Sequence, residues 1–119
     1  IRQLCALISR YDLLISVDTS CIHIASAFNV PTVGLYGPSF PLLWHPWNKN
    51  NQVVLTKYRE CRGCNKELLR PIVLAMEDSC PYEVKCMKEI TAKEVLESAE
   101  RLLSKKVARD ESYIDKSLS

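Results

Sequence analysis

From Leu13 to Ser39 the chain reads LLISVDTSCIHIASAFNVPTVGLYGPS, and a change of period inside this stretch decides the fold. LLISV, set between Asp12 and Asp18, is a short unbroken apolar run, the pattern of a strand buried on both faces. SCIHIASAFN then spaces its apolar residues helically. Ile22, Ala25 and Ala27 are expected inward, with a stop near Asn29 ahead of Pro31. TVGLY, from Thr32 to Tyr36, is a second strand closed by Gly37, Pro38 and Ser39. Strand, helix and strand in this order imply parallel strands joined by a right-handed crossover, so the class is α/β, a parallel sheet with flanking helices.

Outward from this unit the alternation continues. Ile1, Leu4, Cys5, Leu7 and Ile8 recur at spacings of three and four, so the chain opens as though already inside an amphipathic helix, as a fragment would. Beyond Ser39, FPLLWHPWNKNN reads as a loop rich in Pro and Asn, and QVVLT as a third strand. Thr91 to Val107 is the clearest helix, since Val95, Leu96, Ala99, Leu102, Leu103 and Val107 keep the 3.6 period. RPIVLAMEDS suits a strand or a short helix equally, and RDESYIDKSLS has too little apolar content to be held and is expected to fray.

Composition limits the function. With 119 residues, 47% hydrophobic and 25% charged, the chain suits one modest soluble domain rather than a disordered tail. Its 16 Lys and Arg are interspersed with 14 Asp and Glu, so a net charge of +2 forms no basic stripe and gives a nucleic-acid partner no support. No apolar run approaches the roughly 18 residues of a transmembrane segment, and no signal peptide is visible. A cytoplasmic location is the expectation.

In doubly wound sheets ligands sit beyond the carboxyl ends of the strands, and Asp18, Thr19 and Ser20 lie just past the end of LLISV. There the next helix offers N–H groups and the positive end of its dipole, which suit a phosphate. Thr19 and Ser20 add hydroxyl donors, Asp18 can accept from a sugar hydroxyl or anchor the turn, and His23 lies about one turn further in. The residues alone leave a plainer reading open, with Asp18 or Thr19 a simple N-cap and His23 a satisfied, half-buried histidine.

The run DTSCIHIASAFNVPTVGLYGPSFPLLWHPW resembles the signature of the heptosyltransferase-type glycosyltransferases, family 9. Its elements are an Asp-Thr pair, a His four residues after the Thr, small residues, a Pro, an apolar strand and Gly-Pro-Thr/Ser. The match is contiguous over about 30 residues and looser from Ile1 to about Leu103. The resemblance implies a two-domain GT-B enzyme. This chain would be the latter part of its C-terminal, Rossmann-like, nucleotide-sugar-binding domain: a single partial domain over residues 1–119. Asp18, Thr19 and Ser20 would hold the donor diphosphate and sugar, with His23 nearby, and Gly37, Pro38 and Ser39 would wall the same crevice. Where the family often has Gly, this chain has Ser20, whose side chain could crowd a ligand approaching the backbone.

The resemblance further implies a metal-independent inverting transfer of a heptose-like sugar, from ADP-heptose or a similar donor, to a lipopolysaccharide-type glycan or glycolipid acceptor. The general base and acceptor site would belong to an N-terminal part absent from this fragment, which carries no catalytic residue and would be inactive alone. Such an enzyme would work in the cytoplasm, peripheral to the inner face of the membrane.

Six cysteines are present, four of them in one insert at about residues 58–88: Cys61-x2-Cys64, then Cys80 and Cys86. Two Cys pairs can give zinc four thiolates, although the gap from Cys80 to Cys86 is looser than in the usual ribbon. Free thiols, or disulfides formed after purification, are the alternatives. Cys5 and Cys21 fall in helical patterns as small core residues. Trp44 and Trp47 in WHPW could stack a base or sugar or simply anchor the loop; His45 is isolated. Two classes remain: the donor part of a glycosyltransferase, or a non-catalytic, metal-stapled interaction domain with a vestigial crevice. If LLISV is the fourth strand of the usual doubly wound order, it becomes an exposed apolar edge in the fragment and invites pairing with another chain.

Overall fold

A computed structural model describes residues 1–39, 41–48, 50–57, 80 and 82–117. Its elements are α1 (Arg2–Ile8), β1 (Leu14–Val17), α2 (Ser20–Ala27), β2 (Thr32–Tyr36), α3 (Pro41–Trp44), β3 (Gln52–Thr56), α4 (Lys85–Lys88) and α5 (Ala92–Ser117). The three strands form one parallel sheet in the order β1-β2-β3. Val17 pairs with Leu35 and Leu35 with Leu55, so the strands end level and their carboxyl ends make one rim.

Strand alternation sends side chains to two apolar layers. On one face Ile8, Ala25 and Val30 pack with Leu4, Leu14, Cys21 and Ile24, which seats α1 and α2. On the other, Val33, Ala99 and Leu102 pack with Leu13, Leu35, Val53, Leu55 and Val95, which seats α5. Each apolar side chain fully buried this way contributes about 1.5–3 kcal/mol, so Val33, wholly buried at the centre, is a costly one to truncate. The result is the expected Rossmann-like α/β arrangement, one layer of helices on each side of a parallel sheet.

Several expectations need correction. LLISV is not buried on both faces: Ile15 and Val17 remain 47% and 48% exposed, because α5 lies over β2 and β3 and leaves the outer face of the edge strand open. In α2 the inward set is Ile22, Ala25 and Ser26, while Ala27 is exposed. Positions 22, 25 and 26 follow the helical i, i+3, i+4 rule, and burying Ser26 is made possible by Asn48, whose backbone N–H donates to Ser26 Oγ at 2.9 Å. In α1 Leu4 and Ile8 turn inward, but Ile1 and Leu7 are exposed.

Another correction concerns the tail expected to fray from Arg109: as far as it is described it is helical, and α5 runs unbroken from Ala92 past Val107 to Ser117. It contains neither Gly nor Pro to stop it. It is also started firmly, because Thr91 and Glu94 form a capping box. Thr91 N–H donates to Glu94 Oε2 at 2.9 Å, and Glu94 N–H donates to Thr91 Oγ1 at 3.3 Å. Within α5, Val95, Ala99 and Leu102 face the sheet, whereas Leu96 and Leu103 are exposed.

The segment between β2 and β3 holds the single helical turn α3 where a loop was expected. Its anchors are not the tryptophans. Pro46 is fully buried, and Tyr36 Oη donates to the Trp44 carbonyl at 3.2 Å. Trp44 and Trp47 stay exposed, Trp47 almost completely at 95%. His45 turns its Nδ1 to the Pro46 carbonyl at 2.7 Å, tightening the same loop. The region RPIVLAMEDS, most of the Cys-rich insert, and the residues after Ser117 lie outside the described residues.

Candidate donor site at the carboxyl rim of the sheet

β1 ends at Val17, so Asp18 is the first residue past the strand and Thr19 the N-cap of α2, with extended backbone (φ −144°, ψ 172°). Thr19 makes no side-chain capping bond; its hydroxyl lies instead 3.3 Å from Ser16 Oγ. Thr19, Ser20 and His23 are exposed and Asp18 is half-buried. None of the side-chain hydrogen bonds among the described residues uses Asp18, Ser20 or His23. The polar cluster therefore faces outward around a helix N-terminus, where N–H groups and dipole favour an anion.

The second half of the motif arrives through the sheet. Val17 sits beside Leu35, so the next residues, Asp18 and Tyr36, are neighbours across the rim, and Gly37 follows at once. Gly37 is buried, with Pro38 and Ser39 half-buried beside it. The sheet thus brings together two groups separated by nearly 20 residues in sequence: the Asp18–Ser20 turn and the Gly37–Ser39 turn.

Tyr36 underlies both, a residue that the sequence reading passed over as one more apolar position in a strand. Its ring packs close to Gly34: a methyl group built there would come within 2.7 Å of the Tyr36 ring and 3.2 Å of Ile22. Burial pushes the phenol up to about 12, with the Asp18 carboxylate adding to the effect. The phenol stays neutral and acts as a donor to Trp44, and Asp18 is close enough for its charge to be felt.

Gly37 shows a second unforeseen contact. A methyl group built on it would fall 2.6 Å from both Cγ and Sδ of Met87 and 3.5 Å from Cys86 Sγ, so the glycine is required by close approach of the chain that ends the Cys-rich insert. That chain is bent sharply. Glu83 and Val84 both have positive φ, 54° and 56°, a conformation costing about 1–3 kcal/mol for a side chain such as Val. The bend is held by Cys80, whose Sγ accepts the Val84 N–H at 3.3 Å, and by backbone bonds from Glu83 to Cys80 and from Lys88 to Val84.

At the third strand the rim is closed by charge. Lys57, just past β3, pairs with Glu94 of the α5 capping box. The Lys57 ammonium, followed by the Thr91 N–H and hydroxyl, holds the Glu94 carboxyl down at about 2.

Of the cysteines expected to form a metal site, Cys61 and Cys64 lie outside the described residues. Among the described residues no three His, Cys, Asp or Glu side chains come together as a metal site. No helix among them is long and apolar enough to cross a membrane.

Residues 1–70 match the sequence profile of glycosyltransferase family 9 (heptosyltransferase). Lipooligosaccharide heptosyltransferase 2 of Campylobacter jejuni serotype O:2 is 30% identical over 104 residues, 87% of this chain and 29% of that protein. The lipopolysaccharide core heptosyltransferase OpsX of Haemophilus influenzae is 39% identical over 71 residues, 60% of this chain and 20% of its own length. Lipopolysaccharide heptosyltransferase 3 of Escherichia coli is 42% identical over 48 residues, 40% of this chain and 14% of its own length. No solved structure matches the chain significantly. The chain spans under a third of the length of these relatives. The match covers the strand–helix–strand unit with both turns of the carboxyl rim, and on it the chain belongs to glycosyltransferase family 9, the heptosyltransferase family.

Proposed function

We propose that this chain supplies part of the nucleotide-sugar donor site of a glycosyltransferase, which moves a heptose-like sugar, from ADP-heptose in this reading, to a lipopolysaccharide-type glycan acceptor. One observation carries it: the outward-facing Asp18–Thr19–Ser20 turn and the Gly37–Pro38–Ser39 turn meet on one rim of the sheet, beside a helix N-terminus. The relatives' names, all heptosyltransferases of lipopolysaccharide or lipooligosaccharide, point to the same class of reaction.

In this reading the donor diphosphate lies at the start of α2, with Thr19 and Ser20 donating to its oxygens. Asp18 accepts from a sugar hydroxyl, His23 lines the pocket one turn further in, and Gly37, Pro38 and Ser39 form its wall. An acceptor hydroxyl attacks the anomeric carbon, the bond from that carbon to the phosphate oxygen breaks, and its electron pair stays on the diphosphate. Helix N–H groups and hydroxyls stabilise the charge that develops there, and stabilisation of this kind supplies a large share of catalysis in such sites. The proton leaves to a base supplied by a part of the protein outside this chain, at the inner face of the cytoplasmic membrane.

A structural zinc held by Cys61, Cys64, Cys80 and Cys86 is a separate proposal, decided by the metal content of protein purified without chelator. For the donor site the test is titration of the full-length protein with ADP-heptose. Saturable binding, lost on Thr19→Val together with Ser20→Ala, is the expected result; no binding by a folded, two-domain protein would sink the reading.

A further inference from the structure

Resting on that donor-site reading, we propose that Met87 is a positioning residue of the transferase: its thioether, pressed onto Gly37, fixes the Gly37–Ser39 wall and so sets the fit of the nucleoside diphosphate without touching it. Three observations converge on this side chain. Gly37 follows the central strand directly, so whatever bears on it bears on the wall. Space there is used up: an added methyl would meet Cγ and Sδ of Met87 at 2.6 Å, atoms in the middle of the side chain that cannot swing away as a free tip would. The backbone that delivers Met87 is bent through two consecutive left-handed residues, Glu83 and Val84.

Such conformations persist only where surrounding contacts over-determine them, and they gather at functional sites. Here the determining contacts are local: Val84 N–H on Cys80 Sγ, Glu83 N–H on the Cys80 carbonyl, and Lys88 N–H on the Val84 carbonyl. A side chain needed only to fill the core could come from a relaxed turn. This bend instead gives one fixed approach of α4 to the end of β2, and the flexible, polarizable thioether fills the irregular gap over the glycine.

A packed pair of this kind must be non-additive. In the full-length protein, Gly37→Ala is expected to raise the donor KM about tenfold or more, by pushing the wall against Met87. In a Met87→Ala background, where the space is open, the same change should cost no more than about threefold. Met87→Ala alone should raise the donor KM more than it lowers kcat. Met87→Leu, of nearly equal volume, should restore most of the loss.

Equal damage from Gly37→Ala in both backgrounds would overturn the proposal, since the glycine would then be needed for ligand approach itself. So would a Met87→Ala protein that melts earlier yet keeps its donor KM, because Met87 would then be packing alone. Binding of ADP, GDP and UDP to the wild type separates the two failures. If none binds, the donor reading falls and this proposal with it; if one binds normally and the cycle is additive, only this proposal falls.

Discussion

The two ends of the sheet carry similar numbers of polar side chains and use them in opposite ways. At the amino end Asn29, Asn48, Asn51 and Ser26 are spent on one another. Asn29 Oδ1 accepts from Asn48 Nδ2 at 2.6 Å and from Asn51 Nδ2 at 2.8 Å. The Asn51 carbonyl takes the Thr32 N–H and Ser26 Oγ takes the Asn48 N–H, both at 2.9 Å. At the carboxyl end Asp18, Thr19, Ser20 and His23 ring a helix N-terminus, and the Thr19 hydroxyl leaves that terminus uncapped. A polar group closed on its neighbours does structural work; one held outward past a strand end keeps its hydrogen-bonding capacity, which the donor-site proposal uses. The polar residues of the two ends look alike in composition, and only their partners tell them apart.

The most decisive way to break this contrast is at Asp18. In the full-length protein Asp18→Ala should lower turnover by about 10²-fold or more if the carboxylate positions the donor in the transition state, with little change in thermal midpoint. Wild-type turnover would put Asp18 in the same class as the asparagines. The converse experiment is at Asn29, whose φ of 58° is left-handed and whose amide oxygen joins two partners. Asn29→Ala should destabilise the fold by about 2–3 kcal/mol, from two lost hydrogen bonds and the cost of the backbone conformation. Asn29→Gly should recover part of this, and chemical denaturation reads both. Donor affinity measured on folded protein should not move.

The smallest effect sharpens the comparison within the carboxyl rim, where the β3 corner is structural. Glu94 is held at about 2 against an ordinary value of 4.5, so between these values the unfolded chain binds the extra proton. Stability therefore rises with pH through this window, is complete above about 4.5 and is lost as the pH falls through about 2. In Glu94→Gln the urea midpoint should vary less over that interval than in the wild type. An unchanged slope would show that Lys57 and Glu94 do not hold the corner. Because the pair is partly open to solvent, the change should be modest.

Much of the architecture was open to reading from sequence because period and punctuation are local properties. LLISV, the helix after Asp18, TVGLY and QVVLT each announce themselves in a handful of residues, and the DTS and GPS turns fall where parallel sheets bind ligands. The errors share one cause. Ser26 was left out of the inward set of α2, and its burial depends on Asn48, 22 residues away. Ile15 and Val17 were taken as buried because they are apolar, and their exposure depends on where α5 lies.

By itself, then, the sequence determined the order of the three strands and of the longer helices around them, the parallel α/β class and which residues are candidates for a donor site, since these follow from local spacing and a contiguous motif. Tertiary structure decided the rest. It showed that Thr19 does not spend its hydroxyl as a cap, that Tyr36 is buried close enough to feel the Asp18 charge, and that Met87 closes on Gly37 from 50 residues away. The physical reason is that a hydrogen bond, a desolvated phenol or a missing Cβ is a relation between distant chain segments. A list of residues gives each member of the relation, and only packing brings them together.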